Sequence, residues 1–152
     1  MTIHNDSEFK SALDNLPRTD QRKLAARFAQ SVLPLCKDSR VADAVDAGLQ
    51  HIYNDEELTT FYNAVRGACV ESYTECGHLA DWENQAGHFV AEAAAACVMP
   101  EGILHGANVA WDAAMRARMA RTCASIAGGN GTKNSEVEEQ YHLLDEYLNL
   151  NA

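Results

Sequence analysis

The chain reads as all-α: a compact bundle of about seven helices, four of them long, around a central Ala-rich helix. Three observations lead there. Apolar residues recur every three or four positions along most of the chain, the period of a helix with one buried face. Ala, Leu, Arg, Gln and Glu abound while strand formers are sparse, a balance that favours helix over sheet. Capping residues, prolines and glycines stand mostly between these periodic stretches. The 152 residues fit one domain, and 47% apolar residues suffice for a core.

Taken in order, Asp6–Leu16 forms a short helix on Phe9, Leu13 and Leu16, and Pro17 stops it. Thr19 caps the next helix, Gln21–Leu33, whose face is Leu24, Phe28 and Val32. Pro34 predicts a kink or an end. The pair Asp38–Ser39 starts Arg40–Tyr53, where Val41, Val45, Leu49 and Ile52 align. Asn54 with Glu57 has the spacing of a capping box, and acids fill the first turn, where the helix dipole favours them. That helix extends to about Cys76 and buries Leu58, Phe61, Tyr62, Val65, Cys69, Ser72 and Cys76, before Gly77 interrupts it.

The central helix lies within His78–Cys97 and begins either at His78 or after an Asp81 cap. Leu79, Trp82, Ala86, Phe89, Ala93 and Ala96 form its apolar face. His78, Asp81, Gln85, His88 and Glu92 form a polar row beside it. Its back is small (Ala80, Gly87, Ala91, Ala94, Ala95), so neighbours are expected on more than one side. Met99-Pro100-Glu101-Gly102 ends it. Ala107–Ile126 follows, with Val109, Met115, Met119 and Ile126 as larger apolar residues. A Gly128–Gly131 loop leads to Glu136–Leu150, with Ser135 and Glu138 as its capping box and Val137, Tyr141, Leu144 and Leu148 as its face.

A net charge of −10 opposes binding to nucleic acid and to anionic membrane, and suits a basic partner or a cation. The five cysteines, an odd number without a CxxC pair, read as reduced core thiols. The N-terminus MTIHNDSEF lacks a signal-peptide pattern and no apolar run is long enough to span a bilayer, so the cytoplasm is the expected compartment.

Several constellations bear on chemistry. On the central helix, Asp81, Gln85, His88 and Glu92 share one row, with His88 and Glu92 at i,i+4. That row is either the wet face of a mostly buried helix or a site for a metal, acid–base chemistry or a partner. Two ExxH turns, Glu75–His78 and Glu139–His142, have the spacing of diiron-carboxylate bundles, with Glu57 and Glu92 as further carboxylates. Gly77 lies inside the first turn, where a helix is required. The candidate ligands for a divalent metal are thus His78, His88, Glu92, Glu75 and His142. Cys76 beside His78, and Cys97 near Pro100, are the conceivable nucleophiles, but no helix N-terminus or oxyanion loop accompanies them. GxSxG is absent. GGNGTKN has the wrong order for a phosphate-binding loop and reads as a solvated connector. Arg116, Arg118 and Arg121 make their helix the most basic one, with internal ion pairs, including Asp112–Arg116, as the expected use.

Four segments, FAQSVLPLCKDSRVADAVDAGLQ (Phe28–Gln50), AGHFVAEAAAAC (Ala86–Cys97), ARMARTCASIAG and EEQYHLLDEYL, occur in an order that resembles the Ala-rich helical immunity proteins of bacterial polymorphic toxin systems. In that family a VLPLF-type run precedes a D-x-R turn, a helix carries a GHAVATAH-like stretch, and a W-Q-x-x-R-L-type helix closes the chain. Here Gly87-His88 stands at the GH, Glu92 and Ala94 replace the later polar residues, and Gln140-Tyr141 with Leu143-Leu144 takes the closing position. The resemblance implies a binding role without catalysis. The expected function is therefore a small, non-enzymatic, immunity-like or regulatory module that binds another protein, possible homodimer included, with a metal- or ligand-binding bundle as the alternative. No cofactor is expected under the first reading.

Overall fold

A computed structural model describes residues 2–50, 54–76, 81–132 and 134–151, the side chains of 74–76 excepted. Among them are eight α-helices: α1 (Asp6–Asp14), α2 (Arg18–Val32), α3 (Ser39–Gln50), α4 (Asp55–Cys76), α5 (Trp82–Cys97), α6 (Glu101–Leu104), α7 (Val109–Ala127) and α8 (Glu136–Leu150). No strand occurs among the described residues, and the fold is all-α. Five helices rather than four are long, at 15, 22, 16, 19 and 15 residues for α2, α4, α5, α7 and α8.

The helix ends follow local chemistry. Asn5 caps α1 by accepting from the Glu8 amide. Asn54 accepts from the Glu57 amide at 2.9 Å while the Glu57 carboxylate reaches back to Asn54, the expected capping box. Asp81, not His78, opens α5, accepting from the Asn84 amide at 3.1 Å. Two expected caps are corrected. Pro17, not Thr19, is the N-cap of α2, because proline's fixed φ suits a helix entry and leaves Arg18 free to begin the turn. At α8, Asn134 rather than Ser135 supplies the oxygen, accepting from the Glu136 amide at 3.0 Å. Pro34 ends α2 as expected, in a single 3-10 turn at Leu33–Leu35.

Helix α5 occupies the middle of the bundle, with α7 and α4 running antiparallel along its sides and α2 and α3 packed behind it. Almost everything it buries is small: Ala86, Val90, Ala91, Ala93, Ala94, Ala95, Ala96 and Cys97. The expected apolar face is only partly right. Trp82 is exposed and Phe89 half-buried, whereas the back, Ala91, Ala94 and Ala95, is fully enclosed. Leu79 lies outside the described residues. The same substitution of small for large recurs in α7, whose buried face is Val109, Ala110, Ala113, Ala114, Ala117, Ala120 and Cys123, with Met119 turned outward. In α8 the buried row is Glu136, Gln140, Leu144 and Tyr147; of the expected face Leu144 is buried, while Val137, Tyr141 and Leu148 are half-buried beside it.

Closest approach occurs where α3 meets α2 and α5. A methyl group on Gly48 would lie 2.9 Å from Cβ of Ala26 and 3.1 Å from Cβ of Cys97. A second cluster, made of Phe9, Phe28, Trp111 and Tyr141 in tilted ring contacts, joins α1, α2, α7 and α8. Polar side chains tie the ends. Arg22 donates to the Cys97 carbonyl at 2.8 Å, placing a cation at the negative C-terminus of α5. Gln140, wholly buried, donates to the Ala114 carbonyl at 2.9 Å and accepts from Arg118 at 2.8 Å. Arg118 also grips Asp6 with two bonds of 2.9 and 3.0 Å.

Replacing Gly48 by Ala is expected to destabilise the protein by about 1–2 kcal/mol in urea unfolding, since overpacking outweighs the roughly 1 kcal/mol of helix propensity gained. The hydrogen bond from Arg118 holds the Asp6 carboxyl below the usual aspartate range. A depressed folded-state value stabilises above the unfolded value of about 3.9 and loses that contribution as pH falls through the folded value. Asp6→Asn should therefore lower the melting temperature at pH 7, with the difference from wild type shrinking as pH falls from about 3.9 through the lower folded-state value.

Candidate functional site

The polar row of α5 divides along its length. Asp81, Glu83 and Asn84 are exposed and Gln85 is half-buried. Further on, the His88 side chain is only 12% accessible and Glu92 25%. Asp81 is occupied as the helix cap, and its second oxygen accepts from the Asn84 amide side chain at 2.7 Å. Among the described residues of the row, exposure falls from Asp81 toward His88 and Glu92.

There the side chains form a chain of contacts across three helices. Ser72 Oγ on α4 lies 2.9 Å from His88 Nδ1, His88 Nε2 lies 3.1 Å from Glu92 Oε1, and Arg116 Nε on α7 donates to Glu92 Oε2 at 3.1 Å. The Tyr73 ring flanks the imidazole, with centroids 5.8 Å apart. The Ser72 hydroxyl also reaches the Cys69 carbonyl at 3.0 Å. If that hydroxyl donates to Cys69, its lone pair is left to accept from Nδ1–H.

Ser, His and Glu in contact have the residue types of a hydrolytic triad but not its surroundings. Ser72 stands inside the regular helix α4, where neighbouring amides are spent on intrahelical bonds and none is left to stabilise an oxyanion. Metal binding fits no better at this point. Both imidazole nitrogens have partners, and Glu92 is held by a guanidinium. Among the described residues no three His, Cys, Asp or Glu side chains converge as a metal site. Of the other candidate ligands, His142 is 66% accessible on α8, beside Glu146 rather than α5. Glu57 caps α4, Glu139 is exposed, and the Glu75 side chain and His78 lie outside the described residues.

Adjacent to this relay is a cleft of about 670 Å³. Its floor is small and apolar, with Val41, Ala68, Ala86, Gly87, Ala91 and Ala124. Its rim carries Lys37, Asp38, Glu71, Glu83 and Asn84, and Ser72 belongs to its wall. Alanines and Gly87 create the depression, because no side chain there is long enough to fill it. Arg40 neutralises part of the rim through bonds of 2.6 Å to both Asp38 and Glu71. Glu83 is exposed and has no ion-pair partner among the described residues. Cys36 also lines the cleft, but burial pushes its thiol up, away from the thiolate form. Cys69 and Cys97 are raised further by burial, to about 11 and about 12. Cys97, fully enclosed and donating to the Ala93 carbonyl, is a core thiol and not a nucleophile. Cys76 with His78 lies outside the described side chains.

The arginines of α7 serve ion pairs, as expected, with different partners in part. Arg116 takes Glu92 rather than Asp112, Arg118 takes Asp6, and Arg121 takes the buried Glu136 at 3.0 Å. The glycine-rich connector is exposed, with Gly129 and Gly131 at positive φ, and Lys133 lies outside the described residues. The cleft, Ser72 as a relay member and Arg116 as its terminus were not singled out as a site from the sequence. Their signal was present only as small residues at helical spacing, which composition alone does not distinguish from core.

Comparison of the chain with protein-family models, with curated proteins and with solved structures gives no match. Leu35–Asp38, Ala86, Gly87 and Ala91, and Ala124, Ala127 and Gly128 meet at the cleft from three separate stretches of the chain. Among the described residues no helix is long and apolar enough to cross a membrane.

If the relay links the helices as its geometry indicates, His88→Ala and Glu92→Ala will be non-additive. A double-mutant cycle in urea should give a coupling of about 0.5–1.5 kcal/mol. A coupling under about 0.3 kcal/mol would mark the contacts as a solvated surface pair.

Proposed function

We propose that the protein is a non-catalytic, immunity-like interaction module whose cleft receives a segment of a partner protein. The partner segment carries an apolar side chain for the alanine floor and a cationic one for the rim. The observation that carries this reading is the cleft itself, with a small-residue floor beside the exposed Glu83. Other features support it. Tyr73 and Trp82, next in sequence to the cleft residues Ser72 and Glu83, are exposed, and aromatic residues are enriched where proteins meet. The net charge of −10 draws a basic partner from a distance and makes its on-rate fall with ionic strength. A second copy of the chain, equally acidic, is a poorer occupant.

The alternative, a metal held by His88 and Glu92, requires breaking the Ser72 or Glu92 contact to the imidazole. Elemental analysis and thermal shift with added divalent metals address it directly.

Two exposed cleft positions test the interaction. Ala127→Trp fills the end of the cleft from α7, and Glu83→Lys reverses the rim charge. Affinity capture at low salt with the wild-type chain should retain a partner that both variants lose. Partners retained equally by all three proteins, or none at low salt, would sink the proposal.

A further inference from the structure

At the opposite end of α4 a second cleft, of about 460 Å³, is lined by Arg18, Thr19, Arg22, Ala47, Asp55, Leu58 and Glu101. Arg18 and Arg22 stand one turn apart on α2, where like charges repel. Both are answered by a single carboxylate. Arg22 Nη2 is 3.2 Å from Glu101 Oε1, and Arg18 Nη1 is 3.5 Å from Glu101 Oε2. These are long for charge-assisted bonds, which settle at about 2.7–2.9 Å. Arg40 shows what a satisfied guanidinium does in this same chain, holding two carboxylates at 2.6 Å each.

The deficit is specific. Arg18 Nη1 is shielded from solvent yet makes no hydrogen bond. Among the described residues the Arg22 side chain, 8% accessible, has the Cys97 carbonyl and Glu101 as its acceptors. Asp55, the other carboxylate of the cleft, accepts from the Glu101 amide at 2.7 Å and pairs with neither arginine. Glu101, 54% accessible on the four-residue helix α6, is the most replaceable member of the group.

We propose that this cleft binds a small phosphate monoester. The phosphate takes the place of Glu101 between Arg18 and Arg22, with the Thr19 hydroxyl available as a further donor. A phosphate at neutral pH carries a charge of about −1.5 to −2 and three acceptor oxygens, so in place of Glu101 it offers the two guanidinium groups more acceptors than one carboxylate does, against the single remaining charge of Asp55. The cleft exceeds the needs of a bare anion, and Ala47 and Leu58 offer apolar surface to an organic substituent. Glu101 then acts as an internal competitor that occupies the arginines when the ligand is absent.

The test uses the full chain at fixed ionic strength, with phenyl phosphate, inorganic phosphate and phenol as probes in thermal-shift and calorimetric titrations. Phenyl phosphate should raise the melting temperature saturably and bind more tightly than inorganic phosphate, and phenol should do neither. Arg18→Gln, at a position partly open to solvent, should weaken phenyl phosphate at least tenfold while retaining the wild-type circular dichroism spectrum. Glu101→Gln, which removes the competitor, should strengthen it severalfold. The proposal is overturned if neither wild type nor Glu101→Gln responds, if Arg18→Gln binds as wild type does, or if inorganic phosphate or phenol matches phenyl phosphate.

Discussion

The structure depends on the close approach of helix α5 to its neighbours. Its enclosed face is almost entirely alanine, and α7 meets it with alanines of its own. Small side chains bring backbones together, so stability comes from many short dispersion contacts rather than from a few large side chains. At Gly48, where Ala26 and Cys97 crowd in, even a methyl group is too much. This packing enclosed the back of α5 and moved the large residues outward, leaving Trp82 and Met119 at the surface.

An alanine surface is smooth, and smooth surfaces specify register poorly. Here polar groups that cross between helices supply the missing specificity. Arg22 finds the last carbonyls of α5, Gln140 finds the Ala114 carbonyl, and Glu136 receives both Arg121 and Ser31. The Ser72–His88–Glu92–Arg116 relay does the same for α4, α5 and α7. Arg22, Gln140 and Glu136 would be left buried without a partner if their helices slid by a turn, and that penalty is larger than the net gain of the bond itself. The relay is thus an organising contact between helices, and through Ser72 it reaches the wall of the larger cleft.

The same economy of side-chain volume produces the larger cleft. Near the C-terminal end of α4, alanine and glycine leave a depression of about 670 Å³, while the one of about 460 Å³ near its N-terminal end is walled by longer, charged side chains. Their chemistry differs. One has an alanine floor, and the other has two arginines sharing one carboxylate. A strongly acidic chain therefore carries an exposed acid at the rim of one cleft and, at the other end of α4, a closely spaced arginine pair among two carboxylates.

Helical class, the capping box at Asn54–Glu57, the break at Pro34 and the core roles of Leu24, Phe28, Val45 and Val65 were legible in the sequence, because they depend on period and local hydrogen bonding. So was the pairing of His88 with Glu92, which i,i+4 spacing places side by side. The caps at Pro17 and Asn134 were less legible, since several residues compete for those positions within one turn. Tertiary structure alone decided which alanine face of α5 is enclosed, that Ser72 and Arg116 complete the relay, and that Arg18 and Arg22 share Glu101. Alanine is equally at home on any face of a helix, and contacts between residues distant in sequence depend on how helices cross. By itself the sequence determined the helices, and the packing of their small faces decided where its polar groups meet.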